Sequence, residues 1–182
     1  MKSVISIINN EPCIVDDLWF LGKGCIGEAA SLDEDDLARS LNSYEIVPVN
    51  QLQSILTVDL IELSKQGLLL EPEDDPAVLV PWLEHIGLVA LKFETFKDGR
   101  AYTQANLLRT RYEYKGEIRA IGDVLRDQLA AMRHCGFSSF AVRQDKSVTE
   151  ALKGLSGFDM IYARSVYKPE PLFRRRKESL SL

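Results

Sequence analysis

The stretch KFETFKDGRAYTQANLLRTR, residues 92–111, runs from an apolar segment into Asp98-Gly99-Arg100 and then into a helical pattern carrying Tyr102, Gln104, Arg109 and Arg111. Packing alone does not require so many polar groups in one place. A guanidinium fork beside the free N–H groups of a helix start is suited to a small oxyanion. Gly99 is expected to let the chain turn tightly, with Asp98 orienting Arg100. Related chemistry follows in GEIRAIGDVLRDQLAAMRHCGF, residues 116–137, with Glu117, Arg119, Asp123, Asp127, Gln128 and Arg133, and then at Arg143. The spacing places Glu117 and Arg119 on one face of a strand and Asp123 and Asp127 one helical turn apart. Such a set serves acid–base work or an ion-pair network equally well. Asp98 and Asp123 also fit as simple helix caps, and Arg109, Arg111, Arg119 and Arg126 as surface partners of Glu113, Glu117 and Asp127.

Other chemical signals are sparse. His85 and His134 lack neighbouring ligand types and read as helix-end residues favoured by the dipole. The chain carries no Gly-rich phosphate loop, dinucleotide fingerprint, nucleophile elbow or zinc spacing. No cofactor motif is evident. Cys13, Cys25 and Cys135 are too far apart for a redox pair or cluster and read as reduced, buried thiols.

The elements that must position these residues follow from periodicity. Val4 to Ile8 and Cys13 to Val15 have strand composition around Asn9-Asn10-Glu11, predicting a hairpin. Short helices are expected over 31–41 and from about Pro48 to Leu63. From Gly67 onward, strands and helices alternate. GLLLEP is a strand, and Asp75 caps a helix with Pro76 first and Val78, Leu79, Trp82, Leu83 and Ile86 inward. LVALKF is the next strand, followed by a helix over 101–112 with Gln104 and Arg111 on its polar face. Residues 117–121 form a strand, Asp123 caps a helix to His134, and Gly136 ends it. A strand over 137–142, a helix opened by the Ser147 capping box and a last strand over 158–166 complete the pattern.

The implied fold class is α/β, with about four consecutive βα units around a mostly parallel sheet, either half-barrel-like or compact and doubly wound. Residues 1–66 read as an N-terminal extension of hairpin and helices packing on the core, 67–166 as the βα core, and 167–182 as a basic, disordered tail. In parallel βα architectures ligands bind beyond the carboxyl ends of the strands, which is where Asp98, Asp123 and Arg143 fall.

Charge is divided unevenly. Residues 1–91 hold four basic side chains (Lys2, Lys23, Arg39, Lys65) against sixteen acidic ones, a balance of −12, and the remainder is +7 within a net charge of −5. This polarity suits docking of one part on another, or an anionic ligand or acidic partner for the basic part. Nucleic acid is disfavoured because the basic excess is modest. The N-terminal run is too short for a signal peptide core and no segment approaches a membrane span, so the expected location is cytoplasmic.

The segments FETFKDGRAYTQANLLRTR and GEIRAIGDVLRDQLAAMRHCGF resemble domain-of-unknown-function family 934, bacterial proteins described as oxidoreductases involved in sulfite reduction. GLLLEPEDDPAVL and NNEPCIVDDLW extend the similarity, and IVPVNQL does so more loosely. Departures occur at Glu94, Lys97 and Ala101, where the family pattern has proline, a small or hydroxyl residue, and glycine. The resemblance implies cytoplasmic work beside sulfite reductase in assimilatory sulfate reduction. Reduction of sulfite to sulfide takes six electrons, and no flavin, nicotinamide, haem or iron–sulfur motif is present, so the expectation is an accessory protein of sulfite reductase or its electron donor. The alternative is a stand-alone enzyme or binding module for a small oxyanion or phosphorylated sulfur metabolite, held by Arg100, Arg119 and Arg143.

Overall fold

Asn9 and Asn10 have positive φ, 50° and 71°, the backbone of a two-residue hairpin turn. They fold Ser3–Ile8 (β1) back onto Glu11–Asp16 (β2) in antiparallel register. The computed structural model describes residues 3–22, 44–52, 64–155, 162, 164–171 and 173–174. Six further strands are Trp19–Leu21 (β3), Tyr44–Pro48 (β4), Gln66–Leu70 (β5), Leu88–Phe93 (β6), Glu117–Gly122 (β7) and Ser139–Phe140 (β8). Together the eight form one sheet in the order β2-β1-β8-β7-β6-β5-β4-β3.

The sheet is mixed, which corrects the expectation of a mostly parallel one. β1 pairs antiparallel with both β2 and β8, while β3 to β8 run parallel to one another. The physical reason is that β1 joins the growing sheet beside β8 and supplies backbone hydrogen bonds to it. Residues 3–48 thus contribute four strands to the sheet that the later strands continue.

Asp17 and Leu18 alone join β2, at one edge of this order, to β3 at the other. Seven interstrand gaps of ~4.8 Å would separate the edges of a flat sheet by about 34 Å. Three residue steps from Asp16 to Trp19 span at most about 11 Å. The sheet therefore curls, in the manner of a half-barrel, and its strands keep sequential order from β3 to β8 without the reversal of a doubly wound sheet.

Alternation along the strands separates two faces. The outer face, with Leu68, Leu70, Val89, Leu91, Phe93, Ile118, Ala120 and Phe140, forms the main core with the helices Arg100–Thr110 (α1), Leu129–Cys135 (α2) and Val148–Leu152 (α3). The inner face packs Ile46, Leu69, Leu88, Ala90 and Ile121 with Trp19 and Leu21. Gly67 leaves room for the Trp19 ring, which approaches its missing Cβ position at 3.1 Å.

Several expected helices differ. Pro48 closes β4, and the helical structure expected from about there begins as a 3-10 turn, Val49–Gln51; residues 53–63 and 31–41 lie outside the described residues, as does most of 158–166. The segment after β5 is a 3-10 helix, Pro76–Trp82, with Asp75 accepting from Ala77 N. Pro81 inside it donates no hydrogen bond, and the three-residue period turns Val78 outward at 49% exposure while Leu79 is fully buried. Asp123 does not cap α2: a 3-10 turn, Arg126–Gln128, intervenes, and Gln128 Oε1 accepts from Leu125 N at 3.0 Å. Gly136 ends α2 at φ 112°, as its position predicts. Among the described residues no helix is long and apolar enough to cross a membrane.

Candidate functional site

The Asp98-Gly99-Arg100 turn sits where β6 gives way to α1. Asp98 Oδ1 accepts from Arg100 N at 3.0 Å and from Nε at 3.0 Å, and Oδ2 accepts from Nη2 at 2.6 Å. The remaining Nη1 meets Glu73 Oε1 at 2.5 Å. These hydrogen bonds from Arg100 hold the Asp98 carboxyl down at about 2 and push the guanidinium further up. Asp98 therefore fills the position, between helix N-terminus and guanidinium, that an incoming oxyanion would take. Gly99 has φ −98° and open space around its Cβ position, so its conformation is one that any residue adopts.

A second cluster lies beyond β7 and β8. Arg143 Nη1 donates to Asp123 Oδ1 at 2.7 Å and Nε to Asp145 Oδ1 at 2.6 Å, which holds Asp145 at about 2. Asp123 Oδ2 accepts from Phe96 N at 2.9 Å, so one carboxylate ties the loop after β6 to the end of β8. Gly122 makes this possible: at φ 92° its Cα passes against the Phe93 carbonyl, which accepts from Asp123 N at 2.8 Å. Between the two clusters Lys92 pairs with Glu71 at 2.8 Å.

Strand alternation places Lys92 on the inner face near the end of β6, and Glu71, Asp123 and Arg143 follow the carboxyl ends of β5, β7 and β8. The mouth of the curl is thus a row of alternating charges, closed into pairs, with Arg100, Asp98 and Glu73 beside it. Glu71, Glu73, Lys92 and Asp145 were not among the residues singled out from sequence. The available signal was a charged residue two places beyond a buried inward one, as Lys92 stands to Ala90.

The other candidates are placed elsewhere. Arg119 lies deeper on the inner face, buried, with Nη1 on Asp17 Oδ1 at 2.5 Å, Nη2 on Glu117 Oε1 at 2.8 Å and Nε on Ser139 Oγ at 3.0 Å. It does not join Arg100 and Arg143 in one group; its charge is spent on Asp17 and Glu117. Gln104 is buried rather than on a polar face, its Nε2 donating to the carbonyls of Glu71 and Asp74 at 2.9 Å each. Gln128 Nε2 reaches the Phe96 carbonyl at 3.3 Å. Both amides fasten site loops.

Arg109 donates to the carbonyls of Gly136, Tyr114 and Gly116 at 3.0, 2.6 and 2.8 Å. Tyr102 stacks edge-on against Phe93 and Phe137, and burial raises its phenol, with Asp127 adding to the shift. Arg111 lies over Tyr112 at 5.6 Å, and Arg133 over Tyr167 at 4.0 Å while its Nη2 donates to the Asn10 carbonyl at 2.7 Å. Among the described residues no group of three or more His, Cys, Asp or Glu is placed to hold a metal ion.

The architecture defines an α/β protein built on one curled, mixed sheet with a row of paired charges at the carboxyl ends of its parallel strands. The chain belongs to the family of bacterial proteins of unknown function DUF934, whose sequence model matches residues 67–173. That match runs from Gly67 in β5 through β8 and takes in α1, α2, α3 and both charge clusters. A comparison with curated proteins returned no match.

Proposed function

We propose that the protein is an accessory factor of assimilatory sulfite reduction, acting with sulfite reductase or its electron donor in the cytoplasm. It docks through the Asp- and Arg-rich mouth of the curl. The sulfur assignment rests on the family resemblance described above. The docking mode rests on one observation: Arg100 and Arg143, the guanidinium groups nearest the strand ends, are each paired with two carboxylates of the chain itself.

A small anion would have to displace Asp98 from the helix start and would bring no cation to take over the carboxylates it releases. A protein partner can exchange such pairs one for one, because surface ion pairs contribute little net energy and are readily traded. This ranks docking above oxyanion chemistry. The finer architecture, four βα units presenting their loops on one edge, is part of the same reading.

The test is a binding and sulfur-source experiment. The purified chain should bind sulfite reductase or change its electron supply, and Arg100→Glu with Arg143→Glu should weaken that effect while the protein stays folded. Deletion should abolish growth on sulfate and sulfite and spare growth on sulfide and cysteine. Normal growth on all four sources removes the sulfur assignment. Saturable sulfite or sulfate binding by the isolated chain, lost in Arg100→Ala, transfers the conclusion to an anion-binding module.

A further inference from the structure

The arginines differ in what holds them, Arg109 lying on carbonyls and Arg111 on a ring. Arg100, Arg119 and Arg143 are closed by carboxylates of the chain. Arg133, Arg164 and Arg174, by contrast, have no carboxylate partner among the described residues. Arg133 lies over Tyr167 and on the Asn10 carbonyl, Arg164 donates Nε to the Pro169 carbonyl at 3.1 Å, and Arg174 lies 5.9 Å from the Phe173 ring centre. Arg164 and Arg174 belong to the C-terminal segment, and Arg133 of α2 lies against its Tyr167.

That segment is also shaped. Tyr162, Arg164, Pro171, Phe173 and Arg174 line an open depression of about 360 Å³. Tyr162 is 71% and Phe173 53% exposed, large rings left uncovered beside guanidinium groups. The turn carrying Arg164 is anchored to the body: Val166 N donates to the His134 carbonyl at 3.0 Å, and Asn10 Nδ2 donates to the Tyr167 hydroxyl at 2.8 Å. In sequence, residues 162–177 hold Arg164, Lys168, Arg174, Arg175, Arg176 and Lys177 against Glu170 alone, in a chain whose net charge is −5.

We infer that this depression is a docking site for an acidic polypeptide segment of a partner protein, one that sets a bulky apolar side chain between Tyr162 and Phe173 and carboxylates on Arg164 and Arg174. Aromatic and arginine side chains are the residue types that dominate such contacts. Charge complementarity selects the occupant. A short acidic segment covers the basic patch without leaving it, whereas a nucleic acid strand extends over the acidic remainder of the chain and is repelled there. The site is independent of the sulfur assignment and of the mouth of the curl.

The full chain is titrated against a fluorescein-labelled heptapeptide, Glu-Asp-Glu-Trp-Glu-Asp-Glu, followed by anisotropy at low and at near-physiological salt. Controls are the same peptide with Gln and Asn for the acids, and an oligouridine heptamer. Saturable binding is expected, weakened by salt and by the neutral peptide. Phe173→Ala and Arg174→Glu should each weaken it by about tenfold or more, with unchanged circular dichroism. Arg164→Glu should do the same, and Arg174→Glu covers the case in which loss of the Pro169 contact unfolds the turn. Absence of binding, binding indifferent to Phe173 and Arg174, or tighter binding of the oligouridine overturns the inference.

Discussion

Arg119, in the middle of β7, holds Asp17, one of the two residues that join the opposite edges of the sheet, with Nη1 and Oδ1 2.5 Å apart. Glu117 and Ser139 bind the same guanidinium. The ion cluster sits inside the curl, where it closes the edges onto the central strands. Arg119→Ala removes the shared cation of Asp17, which is mostly covered, and of Glu117, which is partly exposed; loss of one partner of a buried pair costs about 3–5 kcal/mol, the upper bound here. Urea denaturation should report that loss. Asp17→Asn, which keeps the shape and one hydrogen bond, should cost less.

Gly122→Ala is expected to lower stability by about 1–3 kcal/mol, the scale of a residue forced into a disfavoured backbone region. At φ 92° the added Cβ meets the Phe93 carbonyl. Because that carbonyl accepts from Asp123 N, the strain is delivered to the Asp123–Arg143 pair. Partner binding through the mouth should weaken together with stability. Gly99→Ala, in open space at an ordinary φ, should leave the melting temperature nearly unchanged.

Arg109 satisfies three carbonyl oxygens with one guanidinium. Arg109→Met keeps much of the apolar stem and strands those acceptors, at about 1–3 kcal/mol for each that stays buried and unpaired. Arg109→Lys should not rescue it, because an ammonium lacks the planar fork. Chemical denaturation of the two variants compares these outcomes.

Asp98 and Asp145 are depressed to about 2 from an ordinary 3.8 by their arginine partners. A depressed carboxylate contributes stability that is fully present above its unfolded pKa and is lost as pH falls through the folded one. Thermal melts should therefore drop between about pH 4 and pH 2, and Asp98→Asn with Asp145→Asn should flatten that limb. Both groups are at the surface, so the effect is modest.

His134 is depressed below 6.5 by burial, with Arg133 and Lys168 adding repulsion. It faces Ser165, Tyr167 and Lys168 of the C-terminal turn and Arg133 of α2. The folded surroundings disfavour its charged form, so its contribution is present above pH 6.5 and is lost as pH falls through the lowered folded value. Amide exchange of residues 164–171 should quicken below pH 6.5 relative to α1, and His134→Asn should remove the pH dependence.

Much of the fold was legible because it rests on local rules. The Asn9-Asn10 turn, the buried runs of β5 and β6, the Asp75 cap and the left-handed Gly136 each follow from residue types within a few positions. Misreadings arise where a neighbouring proline changes the helical period or a distant contact overrides it. Val78 was assigned inward by a helical period that Pro81 converts to a three-residue one, and Gln104 was assigned outward although it clamps carbonyls at Glu71 and Asp74.

By itself, the order of residues determined that an α/β chain of alternating strands and helices would place Asp98, Arg100, Asp123 and Arg143 in the segments that follow its strands, because the apolar runs and the breaks after them are local in the sequence. Only the tertiary structure decided which charges those arginines spend themselves on. Pairing depends on separations of a few ångströms between residues far apart in sequence, such as Asp17 with Arg119 or Glu73 with Arg100, and curling of the sheet brings Asp17 to β7. The tertiary structure also made the hairpin part of the sheet, since without the β1–β8 pairing the facing edges of both strands would lack hydrogen bonds.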